Sequence, residues 1–88
     1  MRLKDKVALV TGASRGIGRG IAEVFAEEGA HVAVNYIGSA EKAEDVAKWV
    51  QSRGRRALTV QGDVAKREDV EGMVEKVWRE LGRVSPLS

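Results

Sequence analysis

Residues 11–18 read TGASRGIG, with Gly12, Gly16 and Gly18 inside one stretch of eight, set between an apolar run and a helical pattern. At a strand-to-helix turn each glycine has a mechanical task. Gly12 permits the tight bend, Gly16 removes a side chain where a phosphate must reach backbone amides, and Gly18 lets the helix lie close to a sheet. The helix that follows would offer unpaired N–H groups and partial positive charge to the same anion. Glycines can also serve a turn and nothing else, so the flanking elements decide between the two readings. A P-loop is excluded, because no Lys-Ser or Lys-Thr follows the glycines.

Working outward, residues 6–11 (KVALVT) are apolar on both faces, which predicts a strand buried in a parallel sheet. Over 17–28, Ile17, Ile21, Val24 and Phe25 recur at helical spacing, and Gly29 can end that helix in the left-handed conformation. A second strand is predicted over 31–35 (HVAVN), followed by a turn at Ile37 and Gly38. Ser39 can cap a helix with Ala43, Val46, Ala47 and Val50 as its apolar face and Trp49 beside it, closed by Gly54. A third strand over 57–61 leads through Gly62 and Asp63 into a helix carrying Val70, Met73, Val74, Val77, Trp78 and Leu81, ended by Gly82. The order βαβαβα predicts an α/β fold with a parallel sheet, right-handed crossovers and strands in spatial order 3-2-1. The second strand and its end, about 18 residues past Gly18, stand where a dinucleotide-binding half-fold needs them.

Eighty-eight residues make one small domain, which buries only about 60–65% of the surface its unfolded chain exposes. With no cysteine and a single histidine, His31, neither a disulfide framework nor a thiolate or zinc site can be assembled. The apolar run near the start is broken by Thr11 and Gly12, which argues against secretion, and no apolar stretch approaches the roughly 20 residues of a membrane span. A cytoplasmic location, with no membrane partner, follows as the expectation. Fifteen basic residues against thirteen acidic give a net charge of only +2. Pairs such as Glu44 with Lys48 and Glu75 with Arg79 read as solvated helix faces carrying ion pairs. Arg53, Arg55 and Arg56 around Gly54 form the one basic cluster, and with no adjacent aromatics to stack bases it does not predict nucleic-acid binding.

The T-G-x-x-x-G-x-G spacing of TGASRGIG resembles the coenzyme motif of the short-chain dehydrogenase/reductase family. Residues 3–36 (LKDKVALVTGASRGIGRGIAEVFAEEGAHVAVNY) resemble that family's opening unit, and GDV at 62–64 resembles its adenine-pocket motif. The likeness runs to about residue 84 and is similar in flavour to the β-ketoacyl-carrier-protein reductases. It implies a Rossmann-type half-domain over 1–84, with 85–88 as a tail outside the family pattern.

The resemblance assigns Gly12, Ser14, Gly16, Ile17 and Gly18 to a pyrophosphate loop, and Asp63 with the Val64 amide to the adenine edge. Asp63 can equally serve as a turn residue or helix cap. NAD enzymes of this architecture end the second strand with an acid that binds the ribose hydroxyls. Here Asn35 and Tyr36 stand there as the ribose-side residues, and Arg15 offers a fork of donors suited to a 2′-phosphate, so NADP is expected ahead of NAD. Ile37 occupies a position where some NADP-binding members carry a basic residue, and Ser39 is available as a neutral donor.

Family members continue into a fourth apolar strand and then Asn-Asn-Ala-Gly, whereas this chain ends Val84, Ser85, Pro86, Leu87, Ser88. The catalytic Ser and the Tyr-x-x-x-Lys pair are not found, because the one tyrosine, Tyr36, has Ala40 four positions later. The expectation is a truncated or frameshifted oxidoreductase, or an excised half-domain, that binds nucleotide without carrying hydride transfer between nicotinamide and a carbonyl. Self-association is expected through the 7–10 strand edge or through the last helix at Met73, Val77 and Trp78. The alternative function is a non-catalytic binding or assembly module docking through that edge.

Overall fold

The computed structural model describes residues 3–12 and 16–84. Six elements follow in the order β1 (Val7–Val10), α1 (Gly16–Glu27), β2 (His31–Tyr36), α2 (Ala40–Ser52), β3 (Ala57–Gln61) and α3 (Arg67–Glu80). The three strands form one parallel sheet with β2 in the middle, the order expected from the alternating pattern. Val7 lies opposite His31 on one side of β2, and Val32 lies opposite Ala57 on the other.

Side chains alternate across the sheet and so divide the core in two. Ala8, Val10, Val32 and Val34 pack with Ala22 and Ala26 of α1 and with Ala43, Val46, Ala47 and Val50 of α2. On the opposite face Val7 and Ala33 meet Val77 of α3, with Leu9, Leu58, Leu81 and Val84 around them. Each fully buried valine contributes about 1.5–3 kcal/mol against remaining exposed. The apolar face expected of α2 is buried residue for residue, and Ser39 caps the helix by accepting from the Lys42 N–H at 3.4 Å. Gly29, Gly54 and Gly82 take φ of 102, 80 and 110° and end the three helices as the sequence suggests.

Two helix faces differ from expectation. In α1 the fully buried residues are Ala22 and Ala26, while Ile17 is 85% exposed and Ile21 and Val24 are also exposed. The periodicity is sound, but the contact stripe is turned toward the alanines, which let the helix approach the sheet, with Phe25 half-buried at the margin. In α3, Met73 and Val77 face the sheet and only Trp78, 51% exposed, remains on the outer surface. Met73 and Val77 are therefore not available as an association face. The i, i+4 ion pair among the described residues is Arg19–Glu23 at 3.1 Å, not the Glu44–Lys48 or Glu75–Arg79 pairs. Exposed long side chains gain little from being held together, so such pairings are optional.

The basic cluster is spent on closing helices and loops. Arg55 Nε donates to the Ala26 carbonyl at 3.1 Å, the Arg56 guanidinium donates to the Glu80 carbonyl, and Arg53 lies 4.8 Å from the centre of the Trp49 ring. At the same end of the sheet, His31 Nδ1 accepts from the Arg56 N–H at 2.9 Å, and His31 Nε2 lies 3.6 Å from Asp5 Oδ1. Among the described residues no helix is long and apolar enough to cross a membrane.

Candidate nucleotide site

Because the three strands are parallel, their carboxyl ends and the N-termini of all three helices share one end of the molecule. This is the end at which open α/β sheets leave a crevice. Gly12 follows β1 with φ +63°, and Gly16 opens α1 with φ +21°. A Cβ at either position would meet no atom within 4 Å, so open space lies beside the backbone there. Acidic residues stand in the first turn of α2 (Glu41) and of α3 (Glu68 and Asp69), but none stands in that of α1. The leading N–H groups of α1 are thus left without a carboxylate of their own helix, an arrangement suited to an incoming anion. Gly18 is half-buried in that first turn and Ile17 projects beside it. Ser14 and Arg15 lie outside the described residues.

The ends of β2 and β3 are laced together. The Gly62 N–H donates to the Tyr36 carbonyl at 3.0 Å, and Gln61 Nε2 donates to the Ile37 carbonyl at 3.0 Å. Between them and α3 opens a groove of about 800 Å³, whose walls include Tyr36, Ile37, Gly62, Asp63 and Met73. No carboxylate ends β2, and Ile37 beyond it is exposed.

Asp63 shapes the turn after β3. Its Oδ1 accepts from the Ala65 N–H at 2.9 Å, its carbonyl accepts from the Lys66 N–H at 2.9 Å, and its own N–H donates to Asp69 Oδ2 at 2.9 Å. Its role as a turn residue is therefore structural fact, and Lys66, not Asp63, is the N-cap of α3. Among the described residues Asp63 Oδ2 and the Val64 N–H have no hydrogen-bond partner. An acceptor and a donor stand side by side on a half-exposed turn, the complement of a base edge that offers an amine beside a ring nitrogen.

The structure turns Asn35 inward. It is 3% exposed, and its Nδ2 donates to the carbonyls of Val60 at 3.2 Å and Gly62 at 3.1 Å, with Met73 Sδ at 3.0 Å. Tyr36, on the opposite face, packs half-buried against the core under α1 and α2. Asp69 was not singled out by the sequence reading, although an acid at the third position of a helix is the ordinary sign of a side chain reaching back over the N-terminus.

A family model described as short chain dehydrogenase matches residues 6–88. The 3-oxoacyl-[acyl-carrier-protein] reductase FabG of Staphylococcus epidermidis is 49% identical over 83 residues, which are 94% of this chain and 34% of that protein. Among solved structures, a short chain dehydrogenase from Burkholderia cenocepacia in complex with NADP is 44% identical with a TM-score of 0.91, covering 97% of this chain and 35% of that one. A blue fluorescent protein from a metagenomic library, in complex with NADPH, is 37% identical with a TM-score of 0.89, covering 96% and 35% respectively. This chain spans about a third of the length of the relatives it matches. A parallel sheet opening onto a glycine turn, matched nearly end to end by that family's model, places the chain in the short chain dehydrogenase family.

Proposed function

We propose that this chain is the nucleotide-binding part of an NADP(H)-dependent oxidoreductase, with residues 1–84 holding the adenosine-diphosphate half of the coenzyme. The observation that carries the reading is the pair of positive-φ glycines with open space beside them, Gly12 after β1 and Gly16 at the head of α1, a helix with no acid in its first turn. Gly12, Ser14, Gly16, Ile17 and Gly18 surround the pyrophosphate, Arg15 meets the 2′-phosphate, and Tyr36 flanks the adenosine ribose. Asp63 Oδ2 accepts from the adenine amine while the Val64 N–H satisfies the ring nitrogen. The lack of a carboxylate at the end of β2 favours NADP over NAD, because an acid there would repel the 2′-phosphate.

Bound coenzyme supplies a hydride at its nicotinamide ring. This chain's residues bind and orient the other end of the molecule, and the hydride step with a carbonyl or alcohol belongs to residues beyond those named here. Calorimetric titration with NADPH and NADH, on the wild-type chain and on Gly16→Val, tests the reading. Tighter NADPH binding that is lost in Gly16→Val is the expected result, and equal affinity in both proteins would falsify the loop assignment.

Self-association is a second part of the proposal, supported by the edge position of β1 in the sheet and by the exposed Trp78 of α3. Light scattering across the micromolar range should show oligomers, and a monomer throughout removes this part.

A further inference from the structure

We propose that Asn35 is a positioning residue for the adenine-side turn, setting the height of Asp63 and Val64 through the Gly62 carbonyl without touching the nucleotide. The inference rests on the nucleotide reading above. Strand alternation sends the Asn35 side chain beneath α3, where acceptors surround its nitrogen and fix the orientation of the amide. A buried amide is costly unless its donors are used, and here two N–H groups are shared among two carbonyls and one sulfur. Val60 is the last buried residue of β3, and Gly62 is the first residue past its end, so Asn35 spans the point at which the strand becomes the turn.

The surroundings leave the turn little freedom. A Cβ on Gly62 would stand 2.7 Å from Met73 Sδ, which means that the Met73 side chain of α3 lies directly against the backbone there. The Gly62 N–H is held by the Tyr36 carbonyl and the Asp63 N–H by Asp69 Oδ2. Asn35 supplies the remaining support, from below. An apolar residue in its place would fill the volume, yet would leave the Gly62 carbonyl without its donor and let the turn settle differently.

The test separates positioning from general stability. Reduced NADP and its hypoxanthine analogue, which carries a carbonyl in place of the adenine amine, are titrated into the wild-type chain and Asn35→Ser, with folding checked by circular dichroism. The wild type should favour the adenine form by about tenfold, the yield of one or two net hydrogen bonds. In Asn35→Ser the adenine form should weaken by a similar factor while the analogue changes little, so that discrimination falls toward unity. A discrimination ratio preserved in Asn35→Ser overturns the inference alone. A wild type that binds both dinucleotides alike, or neither, overturns the nucleotide reading together with it. Should Asn35→Ser not fold, Asn35→Thr, a strand former whose hydroxyl reaches one carbonyl, is read by the same ratio.

Discussion

Arg55 donates from Nε to the carbonyl of Ala26 across 3.1 Å, so the loop that follows α2 closes the last turn of α1. A cation at a helix C-terminus interacts favourably with the carbonyls exposed there, and a charge-assisted bond in a half-buried setting adds to it. Replacing Arg55 by methionine keeps the aliphatic stem and removes the donor. The expected loss is about 1–2 kcal/mol, and each kcal/mol lowers the melting midpoint by roughly 4–8 °C in a domain of this size. Arg53→Met, which removes only an exposed contact with Trp49, should cost less. Equal midpoints for the two variants would contradict the assignment.

Gly62 and Met73 occupy one another's space, and their substitutions should be coupled. Gly62→Ala drives a methyl toward Met73 Sδ and should cost about 1–3 kcal/mol. Met73→Ala opens a cavity and should cost roughly 2–5 kcal/mol. In the double variant the new methyl partly fills the vacated volume, so the combined loss should be smaller than the two added together. Urea denaturation of the four proteins gives the coupling, and strict additivity would show that the contact is not as close as described.

The two classes of apolar residue should separate cleanly. Val34→Ala, at a fully buried position of the central strand, is expected to cost about 1.5–3 kcal/mol through lost burial and a residual cavity. Ile17→Ser, at a position 85% exposed, should change stability by no more than about 0.5 kcal/mol. A large destabilisation by Ile17→Ser, measured in the same denaturant series, would mean that the side chain is covered in solution.

A carboxylate at the end of β2 should invert coenzyme preference. Tyr36→Asp places a negative charge where the 2′-phosphate is proposed to lie and offers an acceptor to ribose hydroxyls. NADPH affinity should fall by about tenfold or more while NADH affinity holds or rises, a shift of at least about 1.4 kcal/mol between the two ligands. An unchanged NADPH:NADH ratio would place the 2′ position elsewhere.

How far the sequence reaches depends on whether local pattern or tertiary geometry decides a residue's surroundings. Ser39, the stripe Ala43, Val46, Ala47 and Val50, and the limits of β3 were legible because capping chemistry and periodicity act within a few residues. The burial of α1 was not, because periodicity identifies a helix with an apolar side but does not say which edge of that side meets the sheet. Ala22 and Ala26 won over Ile17 and Ile21 by allowing closer approach. Asn35 departs from expectation for a different reason. A polar residue closing a strand reads equally as a ligand contact or as an internal tie, and only the placement of Gly62 and Met73 above it decides between them. Asp63 shows both outcomes in one side chain, with Oδ1 engaged in the turn and Oδ2 left for the proposed base contact.

The central position of β2 governs how the chain must assemble. Val7 finds its partner at His31, and Val32 lies between Ala8 and Ala57, so each ladder joins segments about two dozen residues apart, with a whole helix between them. No hairpin is available to nucleate the sheet, and loop closure must be met in full before any ladder forms. Folding should therefore be slow for so short a polypeptide and all-or-none. The amides of Val32 and Val34, in the strand that is paired along both edges and covered by helices on both faces, should be the last to exchange with deuterium.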